Sequence, residues 1–218
     1  MSTVAPRNVF ITGATGYLGR PLAQQLARRG HRVRALARPG SERKVPLGCV
    51  PVIGNALESA SYVRAVAPAG VLVHLVGVAH PSPRKAPLFR SVDLASTEAA
   101  VASARAAGIR RFVYVSVAMP APVMNAYVEA RQAGEALIRQ SGLDATFVRP
   151  WYVLGPGHRW PVVLYPFYGL ASLLPGRRDT ARRLGLVTRS QMLRALVRAV
   201  EDTTPGVSVV DVPAIRAA

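Results

Sequence analysis

Three glycines near the start of the chain are spaced as a phosphate-binding turn requires. They stand in the segment Gly13-Ala14-Thr15-Gly16-Tyr17-Leu18-Gly19, which follows a short apolar run and opens a helical pattern. Glycines at this spacing permit a tight turn and let the backbone approach a pyrophosphate, which then lies at the N-terminus of the helix. The sequence therefore predicts a dinucleotide-binding site on this turn.

The residue that ends the second apolar run bears on which dinucleotide is bound. At this place an acidic residue contacts the ribose hydroxyls of NAD(H), whereas a basic residue pairs with the 2′-phosphate of NADP(H). The run 32–37 ends at Arg38 without an acid, and Arg43 and Lys44 follow. Because a guanidinium fork suits a phosphate group, we expect NADP(H) to be preferred, with NAD(H) as the alternative.

Alternating strands and helices must position these residues. Apolar runs predict strands at 8–12, 32–37, 50–53, 71–76, 112–117, 145–149 and 207–212, and helical periodicity predicts helices at 17–29, 59–67, 93–107, 126–140 and 190–201. This alternation predicts an α/β fold, a Rossmann-type doubly wound parallel sheet with a small C-terminal cap. We expect one domain over residues 1–218, with a dinucleotide-binding core at 1–150 and a cap region at 151–218.

The composition of the 218 residues excludes several classes of protein. The single cysteine, Cys49, cannot form an internal disulfide, and no Cys/His cluster has the spacing of a zinc site. The first residues lack the apolar stretch of a signal peptide, and the apolar segment 160–175 is too short and too interrupted by proline to span a bilayer. We therefore expect a cytoplasmic protein.

The formal net charge of +17 raises the question of an anionic partner. Nearly all of this charge is arginine scattered over predicted helix faces, and no nucleic-acid-binding motif is present, so nucleic acid is an unlikely partner. The aromatic segment 160–168 could line an apolar pocket, pack inside the cap, or rest on an anionic membrane beside Arg159, Arg177 and Arg178. A peripheral membrane or protein partner therefore stays open.

The chain resembles the short-chain dehydrogenase/reductase superfamily, in the extended and atypical branches that include sugar-nucleotide epimerases and NmrA-like proteins. The resemblance covers nearly the whole chain and rests on the segments 12–19, 54–57, 73–77, 111–116, 148–150 and 154–157. It implies that the cofactor is bound by Gly13, Thr15, Gly16, Tyr17, Leu18, Gly19, Arg38, Asn55, Ala56, Leu57, Val76, Ser116, Tyr127, Arg131 and Pro150.

The same resemblance implies Tyr127 and Arg131 as the catalytic pair. In the family, a tyrosine four residues before a lysine transfers the proton, because the two lie on one helix face and the cation lowers the phenol pKa. This chain keeps the spacing but has the bulkier, planar arginine. The family's carbonyl-polarising hydroxyl would fall two residues after Ser116, where Ala118 stands. Loss of one such donor typically costs about 10²–10³ in rate.

His74, in a buried strand, is expected to be a core or cofactor-adjacent residue.

The expected function is that of an atypical short-chain dehydrogenase/reductase that passes hydride from NADP(H) to a small apolar acceptor, a quinone or a carbonyl compound. In such a reaction the cofactor supplies the chemistry and the protein positions the acceptor. The alternative is a non-catalytic NADP-binding protein, either a redox sensor or an accessory subunit of the kind found in respiratory complex I. A sugar-nucleotide epimerase is less consistent with the altered Ser-Tyr-Lys set.

Overall fold

The computed structural model describes residues 5–67, 69–121, 124–156 and 185–218. The aromatic segment 160–168 and the basic turn at Arg177 and Arg178 lie outside these residues. Within the described residues, parallel strands alternate with helices, and the predicted α/β fold is confirmed.

The strands are β1 (Asn8–Thr12), β2 (Arg32–Ala37), β3 (Cys49–Ile53), β4 (Val71–His74), β5 (Arg111–Val115), β6 (Asp144–Val148), β7 (Tyr152–Leu154), β8 (Leu186–Thr188) and β9 (Val207–Val210). Seven of them form one parallel sheet in the order β3-β2-β1-β4-β5-β6-β9. Strands β7 and β8 pair with each other, also in parallel.

The helices are α1 (Gly19–Arg28), α2 (Val63–Val66), α3 (Ala86–Leu88), α4 (Ala95–Ala106), α5 (Asn125–Gln140), α6 (Arg189–Glu201) and α7 (Val212–Ala217). A π-helical segment, Phe89–Leu94, joins α3 to α4. No helix among the described residues is both long enough and apolar enough to cross a bilayer.

The direction in which the chain crosses the sheet reverses at β1. From β1 the chain moves outward to β2 and β3, and then returns to the other side of β1 and continues through β4, β5, β6 and β9. Because these strands are parallel, their carboxyl ends share one edge of the sheet. The crevice between the carboxyl ends of β1 and β4 is where folds of this kind bind ligands.

Apolar side chains cover both faces of the sheet. On one face, Leu22 and Leu26 of α1 pack with Leu196 of α6 in a cluster that includes inward residues of β1 and β2. On the other face, aromatic strand residues such as Phe10 and Phe112 pack against α4 and α5. All five of these side chains are completely buried. The helices are therefore held on the sheet by apolar burial, the dominant favourable contribution to folding.

Most predicted boundaries agree with the structure, and the exceptions have local causes. β4 ends at His74, two residues before the predicted end, because its partner β1 ends at Thr12 and the chain turns at Gly13. The last strand ends at Val210, because the Asp211 side chain accepts a hydrogen bond from the Ala214 N–H at 3.1 Å and caps α7, a helix that was not predicted.

The helical region before β5 begins earlier than predicted. Helix was expected from residue 93, but short helical turns begin at Pro83 and continue through α3 and the π-helical segment to α4. Pro83 and Pro87 occupy first-turn positions, where a missing N–H costs nothing.

Candidate functional site

The glycine turn joins β1 to α1 at the switch point of the sheet. Gly13 has a φ of +73°, which favours glycine, and a Cβ there would lie 2.9 Å from the carbonyl carbon of Leu75. A Cβ on Gly19 would overlap the carbonyl oxygen of Gly13, and Gly16 donates its N–H to that oxygen at 3.0 Å. The turn thus presents bare backbone at the N-terminus of α1, the arrangement that receives a pyrophosphate.

The residues between these glycines connect the turn to the C-terminal part of the chain. Thr15, Tyr17 and Leu18 are half-buried. A Cβ on Gly155 would overlap the Tyr17 hydroxyl, and the guanidinium carbon of Arg189 lies 5.4 Å from the Tyr17 ring centroid. Burial raises the pKa of Tyr17, and Arg189 opposes this shift. Tyr17 is therefore a neutral, packed side chain beside the turn.

The segments after β2 and β3 form the outer part of the same edge. Arg38 is exposed and, among the described residues, forms no ion pair. Asn55 accepts a hydrogen bond from the Leu57 N–H at 3.1 Å and donates one to Glu58 at 2.7 Å. Its side chain thus fixes the turn that contains half-buried Ala56 and exposed Leu57. The resemblance assigns this region to the adenosine half of the cofactor.

Tyr127 lies in the first turn of α5 and is half-buried. Its ring packs edge-on against Phe89, with 5.2 Å between centroids, and lies 5.3 Å from the guanidinium carbon of Arg131. Burial raises the pKa of Tyr127, and Arg131 opposes this shift. The phenol is therefore protonated at ordinary pH and is a potential proton donor.

Arg131 lies one turn further along α5, and its guanidinium forms hydrogen bonds with other groups of the protein. Nη2 donates to the Asp93 carboxylate at 2.6 Å, and Nη1 donates to the carbonyls of Val115 at 3.1 Å and Val76 at 3.4 Å. Asp93 is completely buried and also accepts the Val78 N–H at 3.0 Å. Burial raises the pKa of Asp93, but the guanidinium beside it opposes this shift, and the pair is ionic.

Because of this ion pair, Arg131 differs from the family's lysine, which has no such partner and extends toward the cofactor ribose. Asp93 neutralises its charge, and the guanidinium closes the carboxyl ends of β4 and β5. Gly77 provides the space, since a Cβ there would overlap Nη2 of Arg131. Sequence reasoning missed Asp93. Arg131 stands at a buried position of the predicted helix, and this could have indicated an acidic partner, since a buried charge requires one.

The loops after β5 and β6 lie at the same carboxyl edge of the sheet. Ser116 is buried, its N–H donates to the Val148 carbonyl at 2.8 Å, and its hydroxyl has no hydrogen-bond partner among the described residues. Ala118 is also buried, and its N–H donates to the Pro150 carbonyl at 2.9 Å. A methyl group therefore occupies the position of the expected hydroxyl, whereas the Ser116 hydroxyl is left unsatisfied two residues earlier.

His74 is a core residue, as expected. It is completely buried, with Nδ1 2.7 Å from the Thr12 hydroxyl and Nε2 3.3 Å from the hydroxyls of Ser96 and Thr97. Those two hydroxyls donate to the Asp93 carbonyl, so they accept from Nε2–H, and Nδ1 accepts from Thr12. Burial and the nearby Arg131 lower the pKa of His74 to about 3. The ring is therefore neutral.

The proposed site residues thus lie on segments that meet at the carboxyl edge of one sheet. The glycine turn, Arg38 and the Asn55 turn follow β1, β2 and β3, and Val76, Ser116 and Pro150 follow β4, β5 and β6. Helix α5 adds Tyr127 and Arg131. The glycine cradle fits a dinucleotide, and bound NAD(P)H would supply a transferable hydride at this edge.

Comparison with known proteins assigns the family. Residues 13–163 match the family model described as NAD(P)H-binding. The chain is 33% identical over 184 residues to a ceramide reductase of Caulobacter vibrioides, an alignment that covers 84% of this chain and 57% of that protein. It is 29% identical over 168 residues to a 4-hydroxy-2-methyl-3-oxo-4-farnesyl-3,4-dihydroquinoline-1-oxide ketoreductase of Stigmatella aurantiaca, covering 67% of this chain and 50% of that protein. The chain spans about half the length of these relatives.

Solved structures agree with this assignment at the level of the fold. The Bordetella bronchiseptica enzyme WbmH in complex with NAD+ superposes with a TM-score of 0.69 at 21% identity, covering 93% of this chain and 75% of that chain. A UDP-galactose 4-epimerase superposes with a TM-score of 0.70 at 18% identity, covering 93% and 76%. The chain belongs to the NAD(P)H-binding family and binds a dinucleotide cofactor.

Proposed function

We propose that the chain is an NADPH-dependent reductase whose acceptor is a carbonyl group on an apolar molecule. The observation that carries the proposal is the protonated, half-buried Tyr127 at the same sheet edge as the glycine turn. Reduction of a ketone requires a hydride at carbon and a proton at oxygen. Bound NADPH would supply the hydride, and the Tyr127 hydroxyl would supply the proton.

The preference for NADPH rests on Arg38. It directly follows β2, it is exposed, and no described acid pairs with it. A free guanidinium at this position is available to a 2′-phosphate, and no carboxylate at the end of β2 competes for the ribose hydroxyls.

In the proposed catalytic pair, Arg131 takes the place of the family's lysine beside Tyr127. The guanidinium of Arg131, held by Asp93, adjoins the Tyr127 ring, so it stabilises negative charge that develops on the phenol as the proton leaves. The Ser116 hydroxyl, which has no hydrogen-bond partner among the described residues, orients the acceptor oxygen in place of the hydroxyl that Ala118 lacks. Both assignments are part of the proposal.

The class of acceptor follows from the relatives. The ceramide reductase and the farnesyl-quinoline ketoreductase are both named for compounds with long apolar groups. A ketone carried by a lipid-like molecule, or a quinone, is therefore the acceptor we propose.

The test is NADPH oxidation with a panel of long-chain ketones and quinones, for the wild type and for Tyr127→Phe. We expect steady turnover with at least one acceptor, and a loss of about 10²-fold or more in kcat for Tyr127→Phe while NADPH binding is retained. Full turnover in the variant would exclude Tyr127 as the proton donor. Absence of turnover across the panel would contradict the reductase.

A second candidate function is a non-catalytic NADPH-binding protein, either a sensor or an accessory subunit. The ion pair that neutralises Arg131, together with Ala118 at the position of the expected hydroxyl, favours it. In that case NADPH binds, but it is not oxidised with any acceptor in the panel.

A further inference from the structure

The open edge of β3 carries an unusual group of exposed apolar side chains. Leu47 is 97% exposed at the turn that enters the strand, and Val50 and Ile53 within the strand are 56% and 46% exposed. Pro51 between them is also exposed. Several exposed apolar side chains along one edge of a sheet commonly mark a contact with a membrane or another molecule.

Exposed cations accompany these side chains. Arg43 and Lys44 belong to the short helical turn that precedes Leu47, and Arg32 begins the neighbouring strand β2. All three are exposed, and among the described residues none forms an ion pair. We call these three cations, together with Leu47, Val50, Pro51 and Ile53, the β3-edge surface.

A groove continues the β3-edge surface at the amino ends of the strands. It has a volume of about 370 Å³ and is lined by both Arg32 and Arg34 beside Val50. Two guanidinium-bearing side chains next to an apolar one suit an amphiphile whose anionic group lies against an apolar chain. The groove lies at the end of the sheet opposite the glycine turn, so it is separate from the cofactor site.

The opposite edge of the sheet has a different charge. Val207 and Val209 of β9 are 40% and 44% exposed, but Asp144 and Asp211 lie on adjoining segments. Asp144 accepts the Gly206 N–H at 2.5 Å, next to Val207. An anionic surface would therefore be attracted to the β3 edge more strongly than to the β9 edge.

Strand pairing with a second copy is a weaker explanation for the β3 edge. Pro51 has no N–H to donate to an added strand, and exposed cations at the same edge repel their own copies. Exposed apolar side chains next to exposed cations are complementary to a bilayer whose headgroups are anionic.

From these observations we propose that the β3-edge surface docks the protein on an anionic lipid membrane. Leu47 enters the apolar boundary, and Arg32, Arg43 and Lys44 contact the lipid phosphates. This docking does not require the proposed reductase activity, since Leu47, Arg32 and Val50 lie at the amino ends of β2 and β3, away from the glycine turn.

The test is co-sedimentation of the whole chain with vesicles of pure phosphatidylcholine and with vesicles of equal parts phosphatidylcholine and phosphatidylglycerol. We expect binding to the anionic vesicles that weakens as salt is added, and little binding to the neutral ones. Leu47→Glu should weaken binding to the anionic vesicles at least about tenfold. Arg32→Glu should weaken it about tenfold.

Val209→Glu is the control, since it places the same charge on an exposed apolar position of the opposite edge. We expect it to bind vesicles almost as the wild type does, and all three variants to keep wild-type affinity for NADPH. Equal losses in Leu47→Glu and Val209→Glu, equal binding to neutral and anionic vesicles, or dimerisation through the β3 edge without vesicle binding would each overturn the proposal.

Discussion

Arg38 is the side chain on which cofactor choice depends. We expect Arg38→Ala to raise the Kd for NADPH by about tenfold to a hundredfold, because hydrogen bonds to a charged group contribute about 1.5–3 kcal/mol. The Kd for NADH should stay nearly unchanged, since NADH has no 2′-phosphate. Calorimetric titration with both dinucleotides measures the two effects.

Arg32→Ala is the control for this variant, because it removes an exposed arginine from the opposite end of the same strand. It should bind NADPH as the wild type does. An equal loss of NADPH affinity in both variants would show that the arginines act through the general charge of the protein and that Arg38 does not contact the 2′-phosphate.

His74 makes the stability of the protein depend on pH. Its folded-state pKa is lowered to about 3, so below pH 6.5 the unfolded chain takes up a proton that the folded protein does not. The stabilisation is complete above pH 6.5, and it falls by up to about 1.4 kcal/mol for each pH unit as the pH drops toward 3.

Urea unfolding between pH 7 and pH 4.5 measures this slope. His74→Gln, whose amide does not titrate, should be less stable at pH 7 but should lose much of the pH dependence in this range. The lowered pKa values of Glu201 and Asp202 add a contribution to stability that is lost as the pH falls, and this contribution is common to the wild type and the variant. An unchanged slope in His74→Gln would exclude His74 as its source.

At the scale of elements, α5 is joined to the π-helical segment by one buried ion pair. Arg131 reaches from α5 to Asp93, and the same guanidinium binds the carbonyls after β4 and at the end of β5. A second ion pair joins Arg149, directly after β6, to Glu135 of α5, so the helix is held against the sheet at two places. The position of Tyr127 therefore depends on contacts outside its own helical turn.

We expect Asp93→Asn to destabilise the protein by about 3–5 kcal/mol, because it leaves the buried guanidinium of Arg131 without its counter-charge. The midpoint of urea unfolding measures the loss. Glu98→Gln is the control, since Glu98 is an exposed carboxylate on the adjoining helix α4 and should change stability by less than about 0.5 kcal/mol. Equal stability of Asp93→Asn and the wild type would mean that the pair contributes little.

At the scale of the whole molecule, the C-terminal segment is part of the main core. β9 adds to the sheet beside β6, and α6 packs into the same apolar cluster as α1. The guanidinium of Arg7 donates to the carbonyls of Val200, Glu201 and Asp202 near the end of α6, at 2.7 to 3.0 Å. The two ends of the described chain are therefore joined directly.

We expect a single cooperative unfolding transition for this reason. The chain has two tryptophans, Trp151 and Trp160, and both follow residue 150, so their fluorescence reports on the C-terminal part. Circular dichroism reports on all helices, and the two curves should coincide. Leu196→Ala, at a completely buried site, should shift both midpoints together, with a loss of about 2–5 kcal/mol. A separate fluorescence transition at lower urea would indicate an independent cap.

Much of the fold could be predicted from the sequence because the signals are local. The bounds of β1 and β2 follow from apolar runs closed by glycine or by a basic loop, and α5 follows from a helical period that ends at Gly142. Strands of three residues, such as β7 and β8, carry too few positions for a period to show. Their pairing joins residues 152–154 to residues 186–188, which are distant in the sequence.

The sequence alone determined the glycine turn, the Arg38 position and the i, i+4 spacing of Tyr127 and Arg131, since each depends on residues that are close in the chain. Only the tertiary structure decided that Arg131 is neutralised by Asp93, 38 positions away, and that the Ser116 hydroxyl is buried without a described partner. The same holds for Leu47 and the cations of the β3-edge surface. Burial and charge pairing arise between elements distant in sequence, so no local pattern records them.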